Sequence, residues 1–438
     1  MAMDVIRLGL IGCGVVGEGV ARLVSDKKES LAERIGMPVE ITRIAVRDID
    51  KKRAAPVDKN ILTNDPFEIV NANDVDIVIE VMGGNEPALA LSLKAIENGK
   101  HIVTANKHLL ALNGEKVFKA VEKNKTEIGF EAAVAGAVPI IHSLRGAFAA
   151  DTVSSIHGIV NGTGNYILSR MSDEGKPFDE ILKDAQQLGY AEADPTFDVE
   201  GIDSAHKIAI LASLAFETPV DFSEIYTEGI TSITPDDIAM AKEFGFRIKL
   251  LAIAKRVNGS IDVRVHPAMV PIDSPIAKVN GALNAVEVTA AFSGVNMLVG
   301  PGAGAGPTAS AVMGDVVDIA RKMVGGDTGH TLPMNVPLKA RKKIAIRSID
   351  EIRSQYYLRF TVPDEPGVLA KLSGALGENG ISIASMIQRG HEAGKPVGVV
   401  MMTHTAKEAD LNNAIRKIEK LGVCSATTVT IKIEDGEE

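Results

Sequence analysis

Asp203 and Lys207 stand four residues apart, a spacing that puts a carboxylate and an ammonium on one face of a helix. On spacing alone this is an exposed ion pair, worth less than about 1 kcal/mol. Two features of the sequence argue for more. The stretch 202–216 is apolar after its opening residues, so the pair begins a helix that has to be buried. Ahead of it, Gly189-Tyr190-Ala191-Glu192-Ala193-Asp194-Pro195 and then Asp198 bring carboxylates towards one lysine. A lysine held among acids can exchange a proton with an oxygen whose charge changes during a reaction. Two further clusters accompany it. Thr104-Ala105-Asn106-Lys107 closes an apolar run, and Asn161-Gly162-Thr163-Gly164-Asn165-Tyr166 reads as a polar, glycine-rich turn leading into Ile167 and Leu168.

A third chemistry is written near the start, in Gly12-Cys13-Gly14-Val15-Val16-Gly17. The motif follows an apolar strand and opens a helix. In that setting the first glycine makes a tight turn, the second admits a pyrophosphate and the third lets helix and strand pack closely. The diphosphate then sits over the N–H groups at the positive end of the helix. Cys13 has no base near it in sequence and reads as a small packing residue. At the end of the second strand, an acid would hold a ribose diol and an arginine a 2′-phosphate. Arg47, with Lys51, Lys52 and Arg53 beyond it, favours NADP, while Asp48 keeps NAD open.

The elements that must position these residues alternate. Apolar strand-like runs at 5–11, 39–46, 75–81, 101–104 and 126–134 are separated by helical stretches at 15–25, 87–98 and 114–123. Such alternation implies an α/β fold with a parallel, Rossmann-type sheet over 1–134. Residues 135–307 are more mixed and read as an α+β catalytic and dimerisation domain, with strand-like runs at 248–257, 261–266 and 285–292. A helix at 308–323 is expected to pack back on the first domain. The polar, basic stretch 324–354 is a linker. Beyond it, 355–438 shows strand, helix, strand, strand, helix, strand, at 356–362, 368–377, 381–389, 397–405, 409–421 and 427–433. That order suits a ferredoxin-like module.

Composition narrows the function further. The chain has 438 residues, 47 Lys and Arg against 57 Asp and Glu, and a formal charge of −10, which argues against a broad nucleic-acid face. Aromatic residues make up 4% with no Trp, which argues against base stacking. Two Cys are too few for a disulfide framework and suit a reducing compartment, the cytoplasm. The apolar run 8–17 lacks a cleavage pattern, and the uncharged stretch 288–314 is broken by Gly, Pro301 and Pro307, so no membrane segment is expected.

Taken together, GCGVVG, VTANK, EAAVAGAVPII, HGIVNGTGNYIL, GYAEADPTFDVEGIDSAHK and GPGAGAGPTAS closely resemble homoserine dehydrogenase, in order, from about residue 4 to about residue 325. The tail YYLRFTVPDEPGVLAKLSGALGENGISIASMIQ resembles an ACT domain, a small-molecule regulatory module. The resemblance implies reversible reduction of L-aspartate 4-semialdehyde to L-homoserine by NAD(P)H, in threonine, methionine and isoleucine synthesis. It makes Lys207 the group that exchanges a proton with the substrate oxygen, Asp203 its acidic companion and Lys107 a second lysine near substrate and cofactor. Glu192 then takes the substrate ammonium, with Asp198 beside it, and Thr104 and Gly306 touch the cofactor. A monovalent cation, Na or K, is implied at Glu131, Val134, Gly136 and Val138, held largely by backbone carbonyls. Here Ala137 replaces the second glycine of the commoner loop, and Gly164 stands where Ser or Thr is usual.

In the tail, Asp364, Gly367 and Asn379 match the effector loop of ACT modules, and L-threonine is the implied effector. A homodimer or homotetramer is implied as well. Two other readings share parts of this pattern. Another NAD(P)-dependent amino-acid dehydrogenase would leave the Glu192–Lys207 segment without a purpose. A silent amino-acid sensor would have no use for Lys107, Glu192, Asp203 and Lys207 together.

Overall fold

The computed structural model describes residues 4–389 and 396–435. Residues 1–3 of the expected first domain, and 390–395 and 436–438 of the expected tail module, lie outside the described residues. The chain opens with β1 (Ile6–Ile11), α1 (Val15–Asp26), α2 (Lys28–Ile35), β2 (Val39–Ala45), β3 (Leu62–Thr63), α3 (Pro66–Asn71) and β4 (Ile77–Glu80). Next come α4 (Ala88–Glu97), β5 (His101–Thr104), α5 (Lys107–Asn124), β6 (Ile128–Gly129), α6 (Ile140–His142) and β7 (Val153–Ile159). The middle carries α7 (Gly162–Glu174), α8 (Phe178–Gln187), α9 (Thr196–Val199), α10 (Ile202–Ala215), β8 (Tyr226–Thr227) and α11 (Pro235–Glu243). Then follow β9 (Phe246–Val257), β10 (Ser260–Pro271), β11 (Leu283–Ala290), β12 (Gly294–Pro301) and α12 (Ala305–Gly325). The tail is β13 (Arg353–Pro363), α13 (Val368–Glu378), β14 (Ile383–Arg389), β15 (Pro396–Thr403), β16 (Ala406–Lys407), α14 (Glu408–Lys420) and β17 (Val429–Ile433).

These elements form two compact units that interleave along the chain: 1–162, 203–225 and 282–344 make the first, and 163–202, 226–281 and 345–438 the second. In the first, a parallel sheet runs β3-β2-β1-β4-β5-β6. Strands β4 and β5 are buried along their whole length, which is why their sequences are apolar without alternation. Strand order reverses beside β1, and ligands of such sheets bind beyond the carboxyl ends of the strands there. Helix α12 packs back against α1. The close crossing is possible because a Cβ on Gly19 would lie 2.7 Å from the Ala305 carbonyl oxygen. Val20, Val24, Val312 and Val316 join Leu8, Leu10 and Ile79 in the shared core. Strands β7, β11 and β12 form an antiparallel ladder in this unit.

In the second unit the strands follow the order β9-β10-β17-β13-β15-β14. The tail has the expected βαββαβ succession, and Leu372, Leu376, Leu411 and Ile418 of its helices pack on Leu358 and Phe360 of β13. The tail sheet is continuous with the β9–β10 hairpin, because β17 pairs in parallel with β10 at Ala268–Lys432 and Met269–Ile433. Buried charges accompany that seam. Glu434 accepts from Arg264 (2.6 Å) and Lys255 (2.8 Å). Asp237 closes the capping box of α11 and also binds Arg359 (2.6 Å) and the Tyr357 hydroxyl (2.9 Å) of β13.

Three expectations are corrected. The strand expected over 126–134 is confined to Ile128–Gly129. It gives way to a 3-10 turn at Glu131–Ala133 because the Glu131 N–H turns to the Asp315 carboxylate (2.9 Å) instead of a ladder. The helix expected at 114–123 starts earlier, at Lys107, because the Asn106 side chain caps it by accepting the Leu109 N–H. In the segment Asn161–Tyr166, expected as a turn, Gly162–Tyr166 is the start of α7, with Gly164 inside its first turn. Its polar residues signal buried partners, since the Asn165 amide donates to the carbonyls of Val279 and Gly281. No helix among the described residues is long and apolar enough to cross a membrane.

Candidate active site

The loop between β1 and α1 has the geometry its glycines require. Gly12 is left-handed at φ +99°, a conformation that favours glycine, and a Cβ on Gly17 would lie 2.2 Å from the Gly12 carbonyl oxygen. Around Gly14 nothing lies within 4 Å of a Cβ, so the backbone there is open to a ligand. The loop borders a cavity of about 660 Å³ lined also by Arg47, Asp48, Lys51, Arg53 and Met82. A second hollow, of about 650 Å³, runs between Gly14, Val15 and Glu18 of α1 and Gly306 and Ala309 of α12. The residues fit a dinucleotide, with its diphosphate over the N-terminus of α1. Burial pushes the Cys13 thiol up, so it stays protonated and packs.

The opposite chemistry sits on α5 and α10. Helix α10 buries all of Asp203–Ala212, so its first two turns carry Asp203 and Lys207 into the interior. The Lys207 ammonium donates to Asp203 Oδ2 (2.6 Å) and to the Val160 carbonyl at the end of β7 (2.6 Å). Lys107, the first residue of α5, forms an ion pair with Asp203 Oδ1 (2.6 Å). Asn161 donates to Asp203 Oδ2 (2.9 Å). Burial alone would push the Asp203 carboxyl up, but the ammonium groups of Lys207 and Lys107 outweigh it and hold the carboxyl far below the usual range. The exposed ion pair is therefore excluded: one buried carboxylate joins two lysines. Lys107 keeps 38% of its side chain exposed against 10% for Lys207, so the cluster has one open end.

The family-model comparisons cover both halves of this arrangement and the tail. Residues 12–131 match the NAD-binding domain of homoserine dehydrogenase, 139–317 match homoserine dehydrogenase, and 356–423 match the ACT domain. A homoserine dehydrogenase of Neisseria gonorrhoeae is 44% identical over 99% of both chains. The chain belongs to the homoserine dehydrogenase family. A crystal structure of a homoserine dehydrogenase from Thiobacillus denitrificans superposes with a TM-score of 0.92 at 43% identity, covering 98% of each chain. A hyperthermophilic archaeal homoserine dehydrogenase in complex with NADPH covers 73% of this chain and 98% of its own, at 26% identity and a TM-score of 0.62. The chain is thus an NAD(P)-dependent oxidoreductase, with the α/β fold and ACT tail of homoserine dehydrogenases of this length.

Of the homoserine dehydrogenase site residues expected from sequence, Lys107, Asp203 and Lys207 come together in the first unit. Thr104, at the end of β5, has a partner the sequence reading missed: its hydroxyl donates to Glu80 Oε2 (2.7 Å). Glu80 also accepts the Met82 and Gly83 N–H groups, although burial pushes its carboxyl up. A lone carboxylate ending an apolar strand was the available signal. Asn161 was read only as part of a turn, and its contact with Asp203 was likewise missed. Glu192 and Asp198 belong to the second unit, where Glu192 is exposed and its carbonyl accepts from Gln186 Nε2 (3.1 Å).

Glu131 is buried, and its carboxylate accepts the Ile141 and His142 N–H groups and bonds the His142 ring. In the tail, Gly367 is left-handed at φ +90°. Asp364 accepts from Gln388 (3.0 Å), and the Asn379 amide turns back to the Ala375 carbonyl (2.8 Å).

Proposed function

We propose that the chain catalyses NADP-linked interconversion of L-homoserine and L-aspartate 4-semialdehyde, with Lys207 as the group that gives a proton to the carbonyl oxygen and takes it back. The observation that carries this is the buried Lys207–Asp203–Lys107 cluster. The bound nicotinamide supplies or accepts the hydride. Lys207 donates to the oxygen as negative charge develops on it, and a donor fixed beforehand needs no reorganisation at that moment. Asp203 keeps it charged and, with the Val160 carbonyl, fixes the position of its ammonium. Lys107 serves the substrate carboxylate. Glu192 and Asp198 serve the ammonium end.

Asp48 Oδ1 already accepts the N–H groups of Asp50 and Lys51, which leaves a single carboxylate oxygen for a ribose diol. Arg47, Lys51 and Arg53 then give the cavity a cationic rim for a 2′-phosphate, in keeping with the NADPH-bound archaeal relative. For a Na or K ion, the support is a loop that turns through left-handed Ala135 and Gly136, with the Glu131 carboxylate already engaged. The carbonyls of Glu131, Val134, Gly136 and Val138 would be its donors. L-Threonine would act at Asp364, Gly367 and Asn379. A homo-oligomer is favoured by β12, an edge strand with Val295 and Val299 exposed beside a 91% exposed Phe292. Two free thiols suit the cytoplasm.

The direct test follows homoserine oxidation with NAD and NADP separately, with and without L-threonine and with Na or K salts. Oxidation needs Lys207 neutral and is expected to quicken at alkaline pH. An unchanged pH–rate profile at comparable rate in Lys207→Ala would remove the assignment. Glu192→Gln is expected chiefly to raise KM for homoserine, and a pure kcat defect would contradict its role.

A further inference from the structure

Lys249 is a buried lysine that the reaction does not use. It lies in β9 between Ile248 and Leu250, 2% exposed, in a run that is otherwise buried and apolar. A leucine or methionine would fill such a place at no desolvation cost, whereas an ammonium must find acceptors. Lys249 finds three: Asn165 Oδ1 (3.1 Å), the Val279 carbonyl (2.6 Å) and Asn280 Oδ1 (3.3 Å). Asn165, in α7 and 2% exposed, donates in turn to the carbonyls of Val279 (3.2 Å) and Gly281 (2.9 Å). The two side chains therefore bolt α7 to β9 and to the turn at 279–281.

Helix α7 in turn holds the loop that carries Glu192. The Thr163 hydroxyl donates to the Tyr190 carbonyl (2.7 Å), and the Tyr166 ring stacks on Tyr190 with centroids 4.6 Å apart. Arg170 bonds the Tyr166 hydroxyl and reaches Asp184 of α8 (3.4 Å). From α8, Gln186 donates to the carbonyls of Glu192 (3.1 Å) and Ala193 (3.3 Å). Every link of this chain lies in the second unit.

We propose that Lys249 and Asn165 are positioning residues for substrate recognition: they fix α7, and α7 fixes the Tyr190–Glu192 loop at the ammonium end of the substrate. The proposal rests on the reading of Glu192 as the ammonium binder. The environment of Lys249 supports it. Burial, with Arg247 adding to it and Asp173 of α7 opposing, lowers this ammonium to about 8. Lys242 of α11 is the other charged group lining the small cavity at Lys249. The bolt therefore loosens as pH rises past 8, while the chemistry at Lys207 continues.

The test compares Lys249→Met, Lys249→Arg, Glu192→Gln and the Lys249→Met/Glu192→Gln double variant. Lys249→Met is expected to raise KM for homoserine by about tenfold and leave kcat and NADP binding within about threefold. Lys249→Arg, which keeps charge and donors, recovers most of the loss. Wild-type KM is expected to climb above pH 8, and that climb to vanish in Lys249→Met. In the double variant KM should be no higher than in Glu192→Gln alone, because the bolt acts through that loop. If Glu192→Gln raises KM and Lys249→Met does not, the positioning role is overturned. If Glu192→Gln leaves KM unchanged, the ammonium assignment fails instead. Should Lys249→Met melt too low to assay, Thr163→Val cuts the same path at an exposed hydroxyl, and an unchanged KM there also overturns the proposal.

Discussion

Replacing Asp203 by asparagine removes one charge and almost no volume, and two lysines depend on that charge. Both ammonium groups stand 2.6 Å from the carboxylate oxygens. Opposite unit charges about 4 Å apart attract by ~4 kcal/mol at an effective dielectric constant of ~20. The half belonging to Lys107 is discounted, since 38% of that side chain meets solvent. Most of the effect falls on the buried partner, and losing an adjacent opposite charge moves a titration by about 1–3 units. The pH limb on which aldehyde reduction declines is therefore expected to move about 1–3 units towards acid in Asp203→Asn. Reduction at pH 8 falls by roughly 10²-fold, the lower range for losing a general acid, whereas homoserine oxidation begins its rise at lower pH. Stability carries a second signature. A carboxyl held below its ordinary range contributes stability above about pH 4 and loses it as pH falls further through the depressed value. The melting temperature of Asp203→Asn should therefore lie below that of the parent at pH 7, and the gap should close in acid. Stopped-flow reduction and scanning calorimetry across pH read both. A variant with parental rate and an unmoved profile would refute the reasoning, because the carboxylate would then be a spectator.

Gly17→Ala places a methyl 2.2 Å from the Gly12 carbonyl oxygen, backbone against backbone. Fluorescence titration is expected to show NADPH binding weakened at least tenfold. His206, stacked on Phe222 and 5.0 Å from His108, is lowered to about 4 by burial and by His108. Its neutral form is native, so it withdraws stability as pH falls from ~6.5 towards 4, by up to about 3 kcal/mol at ~1.4 kcal/mol per unit. His206→Phe should flatten urea-melting stability over that window, and an equal acid loss in both proteins would count against the assignment. Arg47→Ala should raise KM for NADP and leave KM for NAD nearly unchanged, as initial rates with each cofactor will tell.

What the sequence disclosed depended on whether a signal was local. Strands β1, β4 and β5 are nearly or wholly buried, so their apolar runs mark them directly. Lys107 was visible because it closes an apolar run, and the Asp203–Lys207 spacing because it opens one; that Lys107 also starts a helix was not read. The helix at Gly162 was not visible. Asn161, Gly162, Thr163 and Gly164 have the composition of a turn, and only distant partners, the Asp203 carboxylate and the Ala282 carbonyl against Gly162, explain those residues. Lys249 was hidden for the same reason, since its acceptors come from α7 and the turn at 279–281. Asp315 is another such case: it faces Gly129 and the Glu131 N–H from far along the chain.

The seam between β10 and β17 has a consequence for biosynthesis. In the second unit β17 lies between β10 and β13, so that sheet cannot close until residues 429–433 have left the ribosome. At about 5–20 residues per second, the β10 edge around Ala268 and Met269 waits on the order of ten seconds for its partner. An open ladder edge of that kind invites strands from other nascent chains. Arg264 and Lys255 wait with it, and until Glu434 arrives they put positive charge beside the edge, which discourages such pairing. A chain cut short before β17 is expected to leave that edge unpaired, and aggregation of the truncated chain, read by light scattering, would show it.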